Sequence, residues 1–327
     1  MQAWQLSEYG EPRSVLKLCD VELPAPGPGE IKLQVQAAAL GLPDVMMCRG
    51  TYEYRPEFPF TPGQEVVGRV VAAGEGVSAR VGDRLMAITA FYDGYGGFAE
   101  QAMTTGGMAY PVPADMPDVH AAAFGIPFQT AWAALVIRGA LREGETLLVH
   151  GAAGGSGSAA VQLGRALGAR VIAVAGGAER AQACRDYGAE AVIDHGSVDF
   201  VDQVQALTQG AGVDVIFDPV GGETCNRSVD CLASGGRLLL IGFACGDPGL
   251  PDSRKVLLAN ASVLGVFVGA YAAQDRQHIH QSLLDFYSDG RIVPLVGAEL
   301  GFFDIPAGLE ELAARRSAGK LVARITG

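Results

Sequence analysis

The sequence predicts an α/β protein: a doubly wound parallel sheet preceded by a β-rich domain. Three observations carry this expectation. Gly151, Gly154, Gly155 and Gly157 crowd together between a short apolar run and a helical pattern of small apolar residues. Strand and helix patterns then alternate to about residue 268, which implies a parallel sheet with helices on both faces. Before residue 122 the pattern is one of short strands separated by turn clusters such as Pro24-Ala25-Pro26-Gly27-Pro28-Gly29.

Taken in order, the first part predicts strands over residues 3–6, 16–20, 31–39, 65–73, 84–88 and 97–104. Residues 121–137 read as helices crossing into the second domain. Strands follow at 146–150, 169–175, 191–194, 213–218, 236–243 and 262–268, with helices at 155–167, 178–187, 200–208 and 223–234. Two more helices are expected at 276–288 and 307–318.

Composition limits what the chain can do. A length of 327 residues is enough for two domains with sizeable cores. With 49% hydrophobic and 18% charged residues the chain is globular. A net charge of −12 argues against nucleic acid or an anionic membrane as partner. Cysteines at 19, 48, 184, 225, 231 and 245 form no Cys-x-x-Cys pair, so a reduced, cytoplasmic protein is the simplest reading. Residues 1–10 carry no secretory signal, and the longest apolar stretches, 238–244 and 263–273, fall short of a membrane span.

Strand, glycine turn and helix at 146–167 form the context of a dinucleotide fingerprint. The glycines admit a pyrophosphate to the main chain, and the helix N-terminus holds its charge. The fingerprint positions are Ala152, Gly154 and Gly157, with Ala153, Gly155 and Ser156 between them. The next strand ends Val174-Ala175-Gly176-Gly177-Ala178, without the acid that would accept a ribose 2′-hydroxyl. Arg180 follows within a helical turn, and its planar fork suits a 2′-phosphate. The cofactor expected is therefore NADPH. A solvated Arg180 pairing with Glu179 or Asp186 is the competing reading.

Gly144-Glu145, Leu148, Ala152-Ala153-Gly154-Gly155, Gly157, Gln162 and Arg165 resemble the signature of quinone oxidoreductases and zeta-crystallins, the zinc-free branch of the medium-chain dehydrogenase/reductase superfamily. The turn cluster ending at Glu30, and Thr61-Pro62-Gly63 before Glu65 and Gly68, resemble the punctuation of its GroES-like domain. The resemblance covers nearly the whole chain. It implies a GroES-like catalytic domain (1–122), a Rossmann domain (123–268) and a C-terminal segment (269–327) returning to the first. It also implies NADPH-dependent hydride transfer to a quinone or an α,β-unsaturated carbonyl, and a homodimer paired through the apolar strand at 262–268.

Zinc members of the superfamily take ligands from a loop cysteine, a histidine after a glycine and a further cysteine. Here the first two positions hold Gly41 and Gln64, and residues 92–108 lack the cysteines of a structural zinc loop. No metal is expected, since zinc needs at least three good protein ligands.

The remaining roles also come from the resemblance. Gly41 stands where the family has an asparagine. Asp44 and Tyr52, on what reads as a loop from 41 to 52, match common family residues. Tyr52 is a candidate to bond a carbonyl and donate a proton, and Asp44 either shares that site or ties the loop down. Thr130 matches a threonine beside the nicotinamide, against the alternative of a helix threonine bonded one turn back. Gly242-Phe243 and Phe267-Val268, at the ends of the fifth and sixth strands, fall where the nicotinamide amide is met. His195 would join Arg180 on the 2′-phosphate. Lys320 matches a residue near the cofactor, or is simply solvated. Tyr54, Phe91 and Tyr95, with Tyr52, Phe243 and Phe267, are candidate flat walls for an aromatic acceptor, or ordinary packing. His120, His278 and His280 show no partner pattern. Two other functions stay open: an acyl-CoA-linked enoyl reductase, which would want a basic patch, and a non-catalytic NADPH-binding redox sensor, which the loss of the asparagine at Gly41 favours.

Overall fold

The computed structural model describes residues 1–325. The chain divides into two compact units, Met1–Ile126 joined by the segment from Pro294 onward, and Pro127–Val293.

The first unit starts with β1 (Gln2–Gln5), α1 (Pro12–Val15), β2 (Lys17–Asp20) and β3 (Glu30–Leu40). Next come α2 (Leu42–Arg49), β4 (Glu65–Ala73), β5 (Arg84–Thr89), β6 (Gln101–Pro111) and α3 (Asp118–Ala122). β3 alternates half-buried and buried residues over its first half, then buries Ala37 to Leu40 on both sides. That change marks where the strand passes from a one-sided to a two-sided environment. β3 pairs antiparallel with both β4 and β6, and β5 joins β4 to β6, so these four strands close on themselves. Leu33, Val35, Phe60, Val66 and Phe98 fill the core beneath them.

α4 (Gly125–Trp132) carries the unit boundary at Pro127 and continues into a π-helical turn, Ala133–Arg138. The second unit then alternates β7 (Thr146–Val149), α5 (Gly155–Ala166), β8 (Arg170–Ala175), α6 (Ala178–Asp186), β9 (Ala191–Asp194), α7 (Phe200–Leu207) and β10 (Val213–Asp218). α8 (Gly222–Ser228), β11 (Leu232–Leu240), α9 (Ser253–Leu258), β12 (Ser262–Gly265) and α10 (Ala273–Ser288) complete it. Among the described residues its sheet has six parallel strands in the order β12-β11-β10-β7-β8-β9. This is the doubly wound Rossmann order, reversing between β7 and β10. Leu147 to Val149 and Val215 to Phe217 are fully buried without alternation, as strands covered on both faces must be. At the start of the sheet Arg237 grips Glu145 with two bonds (2.9 and 2.7 Å) and also donates to the Gly139 and Asp214 carbonyls (2.9 and 3.3 Å).

The chain ends in the first unit with β13 (Val296–Gly301), α11 (Ile305–Ala313) and β14 (Lys320–Arg324). β14 lies between β13 and β3, parallel to the former and antiparallel to the latter. No described helix is long and apolar enough to cross a membrane.

Several boundaries differ from expectation. The helix expected over 223–234 stops at Ser228 and gives way to a short 3-10 turn and then β11, because Gly235 and Gly236 sit inside a strand rather than ending a helix. β11 and β12 end at Leu240 and Gly265, earlier than expected. The stretch from 42 to 49 is a helix and not a loop: Pro43 suits its first turn, and Gly50, at φ 67°, ends it.

Candidate functional site

In the second unit the glycine cluster lies between β7 and α5. The left-handed turn residue is Gly151 (φ 56°), one position before the fingerprint. Ala152 has no positive φ, is buried, and donates its N–H to the Val174 carbonyl (3.1 Å). That is why alanine is tolerated where the fingerprint has its first glycine. Gly157 is not replaceable in the same way. A Cβ there would lie 2.1 Å from the Gly151 oxygen and 2.8 Å from the Ala152 Cα. Gly154 caps α5, so the N–H groups of Gly155, Ser156 and Gly157 have no carbonyl one turn back within the helix. They form the positive end of the helix dipole, and Ala153 is buried behind the turn.

At the end of β8 the structure brings Arg180 and His195 together over Gly176. Arg180 Nε donates to the Gly176 carbonyl (2.5 Å). A Cβ on Gly176 would meet His195 Nε2 at 2.9 Å and Arg180 Nη2 at 3.5 Å. Gly177 (φ 88°) caps α6. Asp186 accepts from Gln182 (2.8 Å). Sequence reasoning missed Asp194, the last residue of β9. Its Oδ1 accepts from the N–H groups of Gly196 (3.0 Å) and Gly177 (3.2 Å), and these bonds hold its carboxyl below the usual range. An acid therefore does reach the end of β8, from the neighbouring strand and already engaged with backbone.

Gly242-Phe243 and Phe267-Val268 lie just beyond β11 and β12 rather than on their last residues. They remain past the carboxyl edge of the sheet, where open α/β sheets bind ligands. Phe243 is 47% exposed and Phe267 55%, which ordinary core packing would not leave. Thr130 is half-buried on α4, next to Gln129, whose Nε2 lies 3.3 Å from His280 Nδ1. His280 is thus a buried residue with a partner, and burial pushes its imidazole down to about 4.

The first unit holds a second polar group of residues. Asp44, on α2, is 1% exposed. Its Oδ2 accepts the Gly41 N–H (2.8 Å) and its Oδ1 the Gly63 N–H (3.1 Å). Burial pushes this carboxyl up to about 7, against the pull of the Lys320 ammonium and these two bonds. Lys320, the first residue of β14, sits in this unit with Nζ 2.7 Å from Glu65 Oε2. The other Glu65 oxygen accepts the Ile126 N–H (2.6 Å). A Cβ on Gly41 would meet Asp44 Oδ2 at 3.3 Å and Lys320 Nζ at 3.8 Å. Burial pushes the Tyr52 phenol up, opposed by a side-chain hydrogen bond with Gln64. Tyr52, Tyr54 and Phe91 form a ring cluster with centroids 5.8–6.4 Å apart. Tyr95 lies on the segment that bridges Thr61 and Ala90. Gln64 Nε2 is 3.8 Å from Met47 Sδ, a setting of soft and neutral groups rather than zinc ligands. Among the described residues no three His, Cys, Asp or Glu side chains gather as a metal-binding set.

The alcohol dehydrogenase GroES-like domain family matches residues 27–114, and the zinc-binding dehydrogenase family matches residues 155–289. The chain is 32% identical to rat quinone oxidoreductase over 301 residues, covering 91% of this chain and 90% of that protein. It is 30% identical to the human quinone oxidoreductase over the same length, with 91% and 90% covered. Among solved structures, a mycobacterial protein complexed with NADPH superposes with a TM-score of 0.91 at 29% identity, over 99% of this chain and 100% of that one. A Pseudomonas syringae quinone oxidoreductase does so with a TM-score of 0.89 at 28% identity, over 99% of both chains.

Proposed function

Because the chain belongs to the quinone oxidoreductase branch of the medium-chain dehydrogenase/reductase superfamily, we propose that it reduces quinones or reactive α,β-unsaturated carbonyls with NADPH and without a metal. The observation that carries the cofactor half is the pairing of Arg180 with His195 over Gly176. Two potential phosphate donors converge where a 2′-phosphate would be read, and the one acid nearby, Asp194, is occupied by backbone N–H groups. The mycobacterial relative solved with NADPH supports the same choice.

Bound NADPH supplies a hydride. The chain's residues bind, orient and shield. Gly155, Ser156 and Gly157 offer backbone N–H groups to the pyrophosphate, while Gly154, its own N–H bonded to the Gly151 carbonyl, caps the helix and Ala152 and Ala153 back the turn. Gly176 and Gly177 keep the adenosine end uncrowded for Arg180 and His195. Gly242, Phe243, Phe267, Val268 and Thr130 are the proposed nicotinamide contacts. On the acceptor side, Tyr52, Tyr54 and Phe91 supply flat apolar surface, and Asp44 fixes Gly41 and Gly63. Gly41 and Gln64 at the zinc-ligand positions support a metal-free reaction.

The proposed homodimer pairs β12 with its counterpart. Val263 is exposed on this edge strand, and Leu257 and Leu258 of α9 are 74% and 73% exposed. An apolar edge left so open favours pairing. Val263→Lys should shift light-scattering mass from dimer to monomer, and a wild-type monomer at micromolar concentration would contradict the assignment.

The deciding experiment is a panel of ortho-quinones, benzoquinones and enones assayed for NADPH oxidation, with and without chelator. Turnover that survives chelation is expected. Tight NADPH binding with no turnover across the panel would favour the redox-sensor reading instead.

A further inference from the structure

Helix α10 carries a cation that its position does not favour. Arg276 is the fourth residue of the helix, near the positive end of the dipole, and is only 7% exposed. Among the described residues no carboxylate pairs with it, and its Nε meets no acceptor. A buried cation without an acid costs stability. The guanidinium instead folds back onto the segment before the helix. Its Nη1 donates to the Tyr271 carbonyl and lies 3.5 Å from the Gly269 carbonyl. That nitrogen carries two protons, one for each oxygen.

The segment is the short 3-10 turn Val268–Ala270, which follows β12. It has two backbone bonds of its own, both 3.2 Å, from the Ala270 N–H to the Phe267 carbonyl and from the Tyr271 N–H to the Val268 carbonyl. Gly269 and Ala270 are exposed. The Phe267 ring lies across Gly269: a Cβ there would be 2.8 Å from the ring's Cζ. Arg276 therefore reaches the carbonyl of the residue that seats the ring. One turn further along α10, His280 is buried with Nδ1 3.3 Å from Gln129 Nε2, and Gln129 adjoins Thr130 on α4. Residues 276 and 280 share one face of the helix. That face meets both segments assigned above to the nicotinamide, the turn with Phe267 and Val268 and the helix with Thr130.

We propose that Arg276 is a positioning residue for the nicotinamide end of the cofactor site: its guanidinium holds the turn after β12 in the shape that seats the Phe267 ring and presents the Val268 backbone. This rests on the NADPH-binding reading above and adds to it what fixes an exposed turn. Arg276 acts through two carbonyls rather than on the cofactor itself. Its charge suits that part, because an ionised donor bonds a carbonyl more strongly than a neutral one.

The test compares two ligands of the full-length protein: NADPH, and 2′,5′-ADP, which keeps the phosphate-bearing adenosine end and has no nicotinamide. Arg276→Met should raise the NADPH Kd by about tenfold and leave the 2′,5′-ADP Kd within about twofold of wild type. The emission of bound NADPH, which comes from the nicotinamide ring, should move toward that of the free cofactor. Amide exchange at residues 267–271 should quicken in the cofactor-free variant while β7 to β10 keep their protection. Arg276→Lys, which keeps the charge, should recover most of the NADPH affinity. Arg276→Gln, which keeps a donor and loses the charge, carries the same comparison if the Met variant does not fold. Equal losses for both ligands, no loss for either, or unchanged exchange at 267–271 would overturn the assignment. None of these measurements needs an acceptor, so a failed acceptor panel would sink the reductase reading and still leave the role of Arg276 decided.

Discussion

In the second unit the proposed cofactor surface is mostly main chain: the first N–H groups of α5 and the glycine turns after β7 and β8. In the first unit the polar groups are buried side chains: Asp44, Glu65 and Lys320, each more than four-fifths buried, with two acids to one base. The two constructions behave differently. Backbone N–H groups carry no net charge, do not titrate, and need only that no Cβ intrude. Buried side-chain charges carry a desolvation penalty that one partner must offset, and their balance shifts with pH.

The largest expected effect lies in the side-chain site. The Asp44 carboxyl is raised from 3.8 to about 7 in the folded state. Between those values the folded protein holds a proton that the unfolded chain has lost, so stability falls as pH rises through the window and levels off above it. Three pKa units correspond to about 4 kcal/mol. Asp44→Asn should remove this slope in urea denaturation between pH 4 and pH 8. Wild-type and variant curves that run parallel would mean Asp44 is ionised throughout.

The backbone site should instead fail through geometry. Gly157→Ala would place its Cβ 2.1 Å from the Gly151 oxygen and 2.8 Å from the Ala152 Cα, and should weaken NADPH and NADH equally, by about a hundredfold. Pocket overcrowding independent of pH is the mark of a main-chain cradle. Affinity that recovers at one end of the pH range would break the contrast drawn between the two units.

Arg180 is the main side-chain charge in the cofactor site proposed for the second unit. A charge-assisted contact contributes about 1.5–3 kcal/mol. Arg180→Ala should then weaken NADPH binding by about ten- to a hundredfold while leaving NADH almost unchanged. His195→Ala should do the same to a smaller degree. Equal losses for both dinucleotides would show that neither residue reads the phosphate.

The same contrast explains what could be read from the sequence. The glycine turn was legible because a backbone site imposes residue types at fixed, local spacing. The alternation of β7 through β10 was legible because buried parallel strands are continuous apolar runs. The Glu65–Lys320 pair was not, since its members are 255 residues apart and a salt bridge imposes no spacing on the chain. Asp194 is hard to see in the sequence because an acid that reaches the end of β8 stands at the end of β9. The helix α2 does not stand out in the sequence because its eight residues are too few for periodicity to show. β13 hid for a different reason: its glycines at 297 and 301 look like punctuation, though a Cβ at 297 would lie 1.7 Å from the Ala318 oxygen.

The position of β14 has a consequence for the order in which the chain is made. The second unit is continuous in sequence and is complete once Val293 has been synthesised. The first unit is begun earlier but finished later, because β14 must insert between β13 and β3. Until then Glu65 lacks the Lys320 ammonium that pairs with it, and β3 has an open edge over Ala37–Leu40. On the ribosome the dinucleotide unit can therefore fold ahead of the unit that precedes it, and the nascent chain's most exposed interval falls between residues 40 and 320. A chaperone that covers strand edges would be needed most for the N-terminal unit, and a stalled chain lacking only its last strand should resist protease over residues 127–293 while remaining open before them.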